Sequence, residues 1–299
     1  MVFMGRRDAS AKRQPFSDRL AGAPLKDTLF EGVPSHLVLP LGDWIATALT
    51  DDLARRVCLR LHLPRYLATE LPRKVDASKY LDVIDMMLWL GLSDVPTNGM
   101  PESIADLARG YGVIPAPELL LILHEILADG SSAYRLNENG DGLEQRVDRI
   151  VTYAAILAMK AAKTVGRTEA AKLLSDSWSR TYGRRADPGE AYADAIKAVE
   201  EVACPLFLPN EHEPSLGKVR AHLDQGRARY ELVIDGRDAR PAPIDAVVEM
   251  VGLLWHGQRE RHGGGPTTAP IRQDAAEAAL HLAVTLVHWF SVGAVRRKQ

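Results

Sequence analysis

Cysteine and long apolar runs are scarce in this sequence. Cys58 and Cys204 are its two cysteines, and so distant a pair provides neither a disulfide framework nor a zinc site. We therefore expect a reducing, cytoplasmic environment. The stretch that we judge closest to a membrane-spanning helix, "ELLLILHEILA" at 118–128, has about half of the ~20 residues that such a helix needs. We expect no membrane segment.

An excess of charge of either sign is also lacking. Thirty-seven lysines and arginines face 39 aspartates and glutamates, which gives a net charge of -2. This balance excludes a general polyanion binder but allows a local basic patch. The first residues, "MVFMGRRDASAKRQPFSDR", are basic and lack the apolar segment of a signal peptide. We expect residues 1–37 to be a flexible basic arm and lead-in.

Helical periodicity dominates what is present, and 299 residues suggest two domains. Residues 41–63, "LGDWIATALTDDLARRVCLRLHL", carry apolar residues at three- and four-residue spacings and predict one helix. Residues 77–92 predict a second helix, which Gly91 ends. Residues 101–112 and 116–130 predict a helical hairpin. The sequence thus predicts an N-terminal helical domain over 38–130.

The pattern changes at "NENGDG", residues 137–142, which is a strong turn signal. We expect residues 131–147 to form a β-hairpin that links two domains. Helical patterns return beyond it, and Asp187 and Pro188 are typical of a helix N-cap and first helical position. Residues 148–299 therefore predict a helical bundle. The expected fold is all-α, with two helical domains joined by a short β-hairpin.

The second half resembles a known family. The run "SWSRTYGRRADPGEAYADAIKAVEEVACPLFLP" at 177–209, followed by "SLGKVRAHL", a helix with His-Gly and a long apolar C-terminal helix, is similar to the C-terminal domain of abortive-infection proteins. That domain belongs to the HEPN superfamily. The resemblance covers roughly residues 148–297, about half of the chain.

The resemblance implies a helical bundle that dimerises and a metal-independent endoribonuclease in an antiphage or toxin-antitoxin system. The family signature is an arginine followed, after four to six residues, by a histidine at a helix end. His262 with Gly263 matches the histidine, but Trp255, His256 and Gly257 occupy the positions of the arginine. Three alternatives remain. His256 replaces the arginine, Arg259 reaches the site through a changed backbone, or the domain is a non-catalytic binding module.

The residue types in "HGQRERHGG" suit RNA cleavage without a metal or cofactor. The reaction needs a base, an acid and a cation for the developing phosphorane charge. Histidine titrates near neutral pH, and arginine offers paired donors to phosphate oxygens. We predict His256, Arg259, Arg261 and His262 as the catalytic residues. The alternative is a solvated, cationic helix end favoured by the helix dipole.

Two other groups are weaker candidates. Arg180, Arg184 and Arg185 in "RTYGRR" are predicted to contact a nucleic-acid backbone, although a solvated loop is the simpler interpretation. Glu277, His281 and His288 share one face of the terminal helix, as metal ligands would, but an ordinary helix surface explains them as well. We therefore predict no metal site.

The sequence as a whole predicts a cytoplasmic abortive-infection or toxin-like defence protein that acts on RNA as an endoribonuclease. A non-catalytic HEPN-like module for dimerisation or for binding a nucleotide or partner is the alternative. The apolar side of the terminal helix, with Leu280, Val284, Val287 and Phe290, predicts a homodimer through the C-terminal half. The antitoxin, the phage trigger and the RNA target are not revealed by the sequence.

Overall fold

A computed structural model describes residues 29–92, 95–96, 113–114, 116–235, 241–257 and 270–298. Helix accounts for 67% of the structure and strand for 8%, which confirms the prediction of a mainly helical protein. The chain divides into two compact units after Arg146. Most of the predicted basic arm and the predicted helix at 101–112 lie outside the described residues.

The described helices of the first unit are α1 (Ser35–Ala48), α2 (Asp51–Arg60), α3 (Leu71–Lys74), α4 (Tyr80–Leu90) and α5 (Ala116–Asp129). A short 3₁₀ turn, Ala77–Lys79, precedes α4. The single helix predicted over 41–63 is wrong. Leu49 is extended and the Thr50 side chain accepts a hydrogen bond from the Leu53 backbone, so a new N-cap divides the segment into α1 and α2.

The core of the first unit is built from large aliphatic and aromatic side chains. Leu41, Trp44 and Ile45 of α1 are completely buried. The indole nitrogen of Trp44 donates to the Leu119 carbonyl of α5 at 2.9 Å, which satisfies its buried polar atom. Gly91, with φ 89°, ends α4 in a backbone conformation that favours glycine.

Two pairs of short antiparallel strands accompany these helices. One pair is β1 (Val95–Pro96) with β2 (Val113–Ile114), and the other is β3 (Tyr134–Leu136) with β4 (Leu143–Gln145). The second pair surrounds the predicted turn. Tyr134 and Leu143 belong to the core of the first unit, and the Leu143 backbone donates to the buried Asp85 carboxylate at 2.9 Å. The hairpin is thus part of the first unit.

The described helices of the second unit are α6 (Arg149–Thr164), α7 (Thr168–Tyr182), α8 (Pro188–Phe207), α9 (Leu216–Gln225), α10 (Asp245–Gly257) and α11 (Gln273–Ser291). Helices α6, α7, α8 and α11 pack against one another, and α9 packs against α8 and α10. The predicted cap of α8 is confirmed, because the Asp187 side chain accepts from the Glu190 backbone and Pro188 begins the helix.

Alanines line many of the helix contacts of this unit. They include Ala158 and Ala162 of α6, Ala195 and Ala198 of α8, and Ala283 of α11, all of which are completely buried. Small side chains allow neighbouring helix backbones to approach closely. The four residues of α11 offered above as a dimer surface, Leu280, Val284, Val287 and Phe290, are buried in this same core, so they give no argument for a dimer.

A three-stranded antiparallel sheet, absent from the prediction, completes the second unit. Its strands are β5 (Tyr230–Asp235), β6 (Pro241–Pro243) and β7 (Val295–Arg297), in the order β6-β5-β7. Tyr230 pairs with Arg297 and Leu232 with Val295. Tyr230, Leu232 and Val295 are buried, because alternate residues of a strand lie on the same face.

Among the residues described, no helix has both the length and the apolar character required to cross a membrane.

Candidate functional site

The predicted catalytic cluster begins in the last turn of α10. His256 is exposed there, beside the half-buried Trp255. The indole of Trp255 lies against Gly217 of α9, where a Cβ atom would come within 2.7 Å of two ring carbons. Arg259, Arg261 and His262 fall in 258–269, outside the described residues. The structure therefore gives the position of one of the four predicted catalytic residues.

An arginine that the sequence analysis missed lies on the same helix pair. The Arg220 side chain of α9 crosses α10 at Gly252, where a Cβ atom would lie 2.9 Å from the Arg220 Nε. This Nε is buried and has no hydrogen-bond partner among the residues that the structure describes. No carboxylate of the described residues forms an ion pair with Arg220, so its charge is not offset there.

Helix geometry puts His256 between this arginine and a cavity. Gly252 and His256 are four residues apart and share one face of α10. At 3.6 residues per turn, His256 is about 40° around the helix from Gly252 and about 60° from Leu253. Leu253 lines the cavity, so the imidazole lies on the helix face between Arg220 and the cavity.

The cavity has a volume of about 570 Å³ and lies between the end of α10 and the start of α11, next to α8. Its lining is mainly apolar and comprises Tyr192, Leu253, Gly257, Pro270, Ile271, Arg272, Ala275, Ala278, Ala279 and Leu282. Such a lining suits a planar ring or another apolar group rather than an ion.

The two polar side chains of the cavity wall already have partners. The Tyr192 hydroxyl donates to the Leu254 carbonyl at 3.1 Å, and burial raises the pKa of Tyr192. Arg272 forms a two-point ion pair with Asp274, at 2.9 Å and 2.5 Å, and this contact lowers the pKa of Asp274. Neither group is suited to act as a general base at neutral pH.

Comparisons with protein-family models, curated proteins and solved structures find no match for this chain. The chemistry of the site must be argued from its own residues.

Arg180, one of the predicted nucleic-acid contacts, is engaged within the bundle. Its guanidinium forms ion pairs with Asp194 and, at 3.2 Å, with Glu190 of α8. The Asp194 side chain is 5% exposed, and burial raises the pKa of this carboxyl while Arg180 and Lys197 oppose the shift. The ion pair links α7 to α8, so Arg180 has a structural role.

Arg184 and Arg185 follow α7. Arg184 is half-buried and Arg185 is exposed, and both already take part in interactions within the protein. The acidic partners of Arg180, Glu190 and Asp194, are each two residues from Tyr192 along α8. Positions two residues apart are about 200° around a helix, so Tyr192 lies on the opposite face. The structure therefore does not bring Arg180 to the His256 cavity.

The histidines of α11 have separate environments. His281 Nε2 lies 2.8 Å from the Tyr182 hydroxyl, and burial, with a contribution from Glu277, raises the pKa of Tyr182 to about 12. Glu277 accepts a hydrogen bond from Gln273 at 3.0 Å. The buried Nδ1 of His288 has no partner among the described residues. In the described part of the chain, no three such side chains form a group that could hold a metal ion.

Proposed function

We propose that this is a defence protein of the abortive-infection type whose C-terminal unit is a HEPN-like RNA-binding module and endoribonuclease. The observation that supports the proposal is Arg220. The family resemblance calls for an arginine before the histidine, and the α10 sequence lacks it at the family spacing. Arg220 brings a guanidinium from the neighbouring helix to Gly252, which is one turn before His256 on the helix that precedes His262, the histidine that matches the family. Its charge has no counterion within the described residues.

The proposed reaction is attack of an RNA 2′-hydroxyl on the adjacent phosphorus. One histidine of the pair His256 and His262 takes the hydroxyl proton, and the other gives a proton to the leaving 5′-oxygen. The P–O5′ bond breaks as the O2′–P bond forms, which leaves a 2′,3′-cyclic phosphate and a 5′-hydroxyl end. Arg220, with Arg259 and Arg261, balances the charge on the phosphorane oxygens.

The cavity next to His256 fits the base of the bound nucleotide. Its volume and mainly apolar lining suit a ring that stacks or packs without a dedicated charge partner. The phosphate would then lie on the Arg220 side of His256. Since the chain's own residues supply the acid, the base and the cation, EDTA should not affect cleavage.

The test compares purified full-length protein with three variants on labelled RNA and tRNA. His262→Ala should abolish cleavage, and Arg220→Gln should slow it by about 10²- to 10³-fold, as removal of one charge-stabilising donor does. Arg227→Gln is the matched control, because this arginine near the same helix pair is already paired with Asp224 and Asp245. Cleavage that is equal in wild type and Arg220→Gln would contradict the role of Arg220.

A non-catalytic binding module is the second candidate. The observation in its favour is that the described cavity wall offers no general acid or base, since Tyr192 and Arg272 are both engaged. If wild type leaves RNA intact but binds it, and Arg220→Gln weakens binding, the module binds without cleaving. Phage resistance of cells expressing wild type or His262→Ala at equal levels then separates the two candidates in vivo, because a binding module does not need His262 as a proton donor.

A further inference from the structure

A second basic site lies where the end of α9 approaches strands β5 and β7. The His222 Nε2 is 2.9 Å from the Tyr230 hydroxyl. Tyr230 is 3% exposed, and Phe207 packs edge-on against its ring at 5.6 Å between centroids. The imidazole therefore contacts a buried and closely packed partner.

Two arginines from different elements surround this pair. Arg297 of β7 pairs with Tyr230 across the sheet, and its guanidinium carbon lies 5.9 Å from the centre of the tyrosine ring. Arg229 bends back against Gly226, where a Cβ atom would lie 2.8 Å from the Arg229 Nη2. Burial, followed by Arg229 and Arg297, lowers the pKa of His222, so the ring lies in the field of both guanidinium groups.

The neighbouring arginines are neutralised, in contrast to these two. Arg227 is paired with Asp224 and Asp245, and Arg296 with Glu231 at 3.0 Å. Within the parts of the chain described above, neither Arg229 nor Arg297 has a carboxylate partner. The two positive charges beside one imidazole repel each other, and a bound anion would offset this repulsion.

A helix end explains one of these arginines but not both. Arg229 lies next to the last turn of α9, where a cation is favoured by the exposed carbonyls. Arg297 comes from a strand and lies over the tyrosine ring. Its position at the same imidazole is therefore not a consequence of helix capping.

We propose that Arg229 and Arg297, arranged around the His222–Tyr230 pair, form a binding site for a phosphate group carried by a nucleotide or by an RNA strand. Each guanidinium offers paired donors that match phosphate oxygens. When the Tyr230 hydroxyl donates to Nε2, the neutral imidazole carries its hydrogen on Nδ1 and becomes a further donor. The exposed Lys298, whose backbone donates to the Arg229 carbonyl at 2.9 Å, adds positive charge nearby.

This site is distinct from the one at His256. Arg220 and His222 are two residues apart, which places them about 200° apart around α9. Arg220 crosses Gly252 of α10, whereas His222 lies at the sheet. Loss of the second site therefore leaves the proposed catalytic residues in place, and the two proposals can fail separately.

The experiment follows the histidine ring resonances of the full-length protein by NMR, with the His222 signal assigned from a His222→Asn spectrum. Inorganic phosphate should shift the His222 signal in a saturable manner, whereas sodium chloride at matched ionic strength should not. Arg229→Gln/Arg297→Gln should weaken phosphate binding by about tenfold or more, because it removes two charged donors. Arg296→Gln changes the net charge at the neighbouring strand position and should leave phosphate affinity unchanged.

Competition identifies the source of the phosphate. If AMP displaces phosphate at a lower concentration than a short single-stranded RNA does, the site binds a free nucleotide. If the RNA is effective at the lower concentration, the site binds the backbone of a strand. A His222 signal that chloride shifts equally, or that still shifts in the double variant, overturns the proposal. Because Arg297 is exposed, Arg297→Gln alone provides the same comparison if the double variant does not fold.

Discussion

The burial of Arg220 has a free-energy cost for the folded protein. Its buried Nε has no acceptor in the described part of the chain, and an unsatisfied buried donor costs about 1–3 kcal/mol, more for a charged group. Nothing within the described residues offsets this cost. The buried Nε lies against Gly252 and is out of reach of a ligand, so the proposed phosphate contact would be made by the terminal nitrogens of the guanidinium.

Arg220→Met tests that interpretation, because methionine keeps much of the length and apolar contact and removes the unpaired donor. We expect the free energy of unfolding in urea to stay the same or to rise by about 1 kcal/mol. RNA affinity, measured by fluorescence anisotropy, should fall. A variant that lost more than about 1 kcal/mol of stability would show that Arg220 supports the fold instead.

The pKa of His222 gives a second prediction for a single residue. Burial, Arg229 and Arg297 depress it below the ordinary value of 6.5, so the folded protein holds the ring neutral more firmly than the unfolded chain does. Its contribution to stability is present above pH 6.5 and is lost as the pH falls through the folded pKa. Arg229→Gln/Arg297→Gln should raise the pKa measured by NMR titration in phosphate-free buffer. An unchanged pKa would mean that the two guanidinium groups do not act on the ring.

Residues with local roles could be predicted from the sequence, and residues with long-range roles could not. Asp187 and Pro188 act within one turn of their own helix, so their sequence context is sufficient. Arg220 acquires its role from Gly252, 32 positions further along the chain, and no local pattern specifies which helices pack together.

At the scale of elements, the contact between α9 and α10 depends on glycine. A Cβ atom at Gly217 would lie 2.7 Å from two indole carbons of Trp255, and a rigid ring in a packed interface cannot move away cheaply. We expect Gly217→Ala to lower the unfolding free energy by about 1–3 kcal/mol, measured by thermal or urea denaturation.

Gly42→Ala in α1 is the control for this substitution. Its Cβ would meet the Tyr80 ring at an ordinary 3.4 Å, so the gain in helix propensity, about 0.5–1 kcal/mol, should dominate. If both alanine variants stabilise the protein, the close α9–α10 contact is not a constraint.

Helices α4 and α8 have a clear periodicity, and one end of each could be predicted from the sequence. Gly91 marks the end of α4, and Asp187 marks the start of α8. The break between α1 and α2 was missed because the apolar spacing continues through Thr50. The β5-β6-β7 sheet was missed because its strands are short, and because β7, which pairs with β5, comes only after α10 and α11. Pairing between distant strands leaves little local signal.

At the scale of the whole molecule, the boundary at Arg146 predicts that the second unit folds by itself. Leu143 and Glu144 are buried in the first unit, so a fragment of residues 147–299 should lose little of its own core. We expect it to be helical by circular dichroism and to unfold in one cooperative transition. A fragment that melts without a transition would show that the two units depend on each other.

The homodimer predicted from the sequence requires an exposed apolar surface, which the buried side chains of α11 do not provide. Helix α6 exposes Ile150, Tyr153 and Leu157, with 80%, 62% and 37% of their surfaces accessible. If the protein is a homodimer through its C-terminal half, this apolar face is the expected contact. Light scattering should then give a mass of about two chains for wild type and one chain for Tyr153→Glu.

Lys163→Gln makes the same change in net charge on another face of α6 and should remain dimeric. A wild-type protein that is monomeric at micromolar concentration would contradict the predicted homodimer. The Arg220 site would be unaffected, since its described residues come from one chain.

The alanines between the helices of the second unit also affect how that unit responds to temperature. Alanine has no side-chain rotamers to lose, so its burial adds almost nothing to the entropic cost of folding. It also exposes little apolar surface on unfolding, and a smaller heat-capacity change flattens the curve of stability against temperature. The first unit, whose core contains few alanines beside its leucine, methionine and tryptophan side chains, should have the larger heat-capacity change per core residue. We therefore expect the stabilities of the two units to depend differently on temperature.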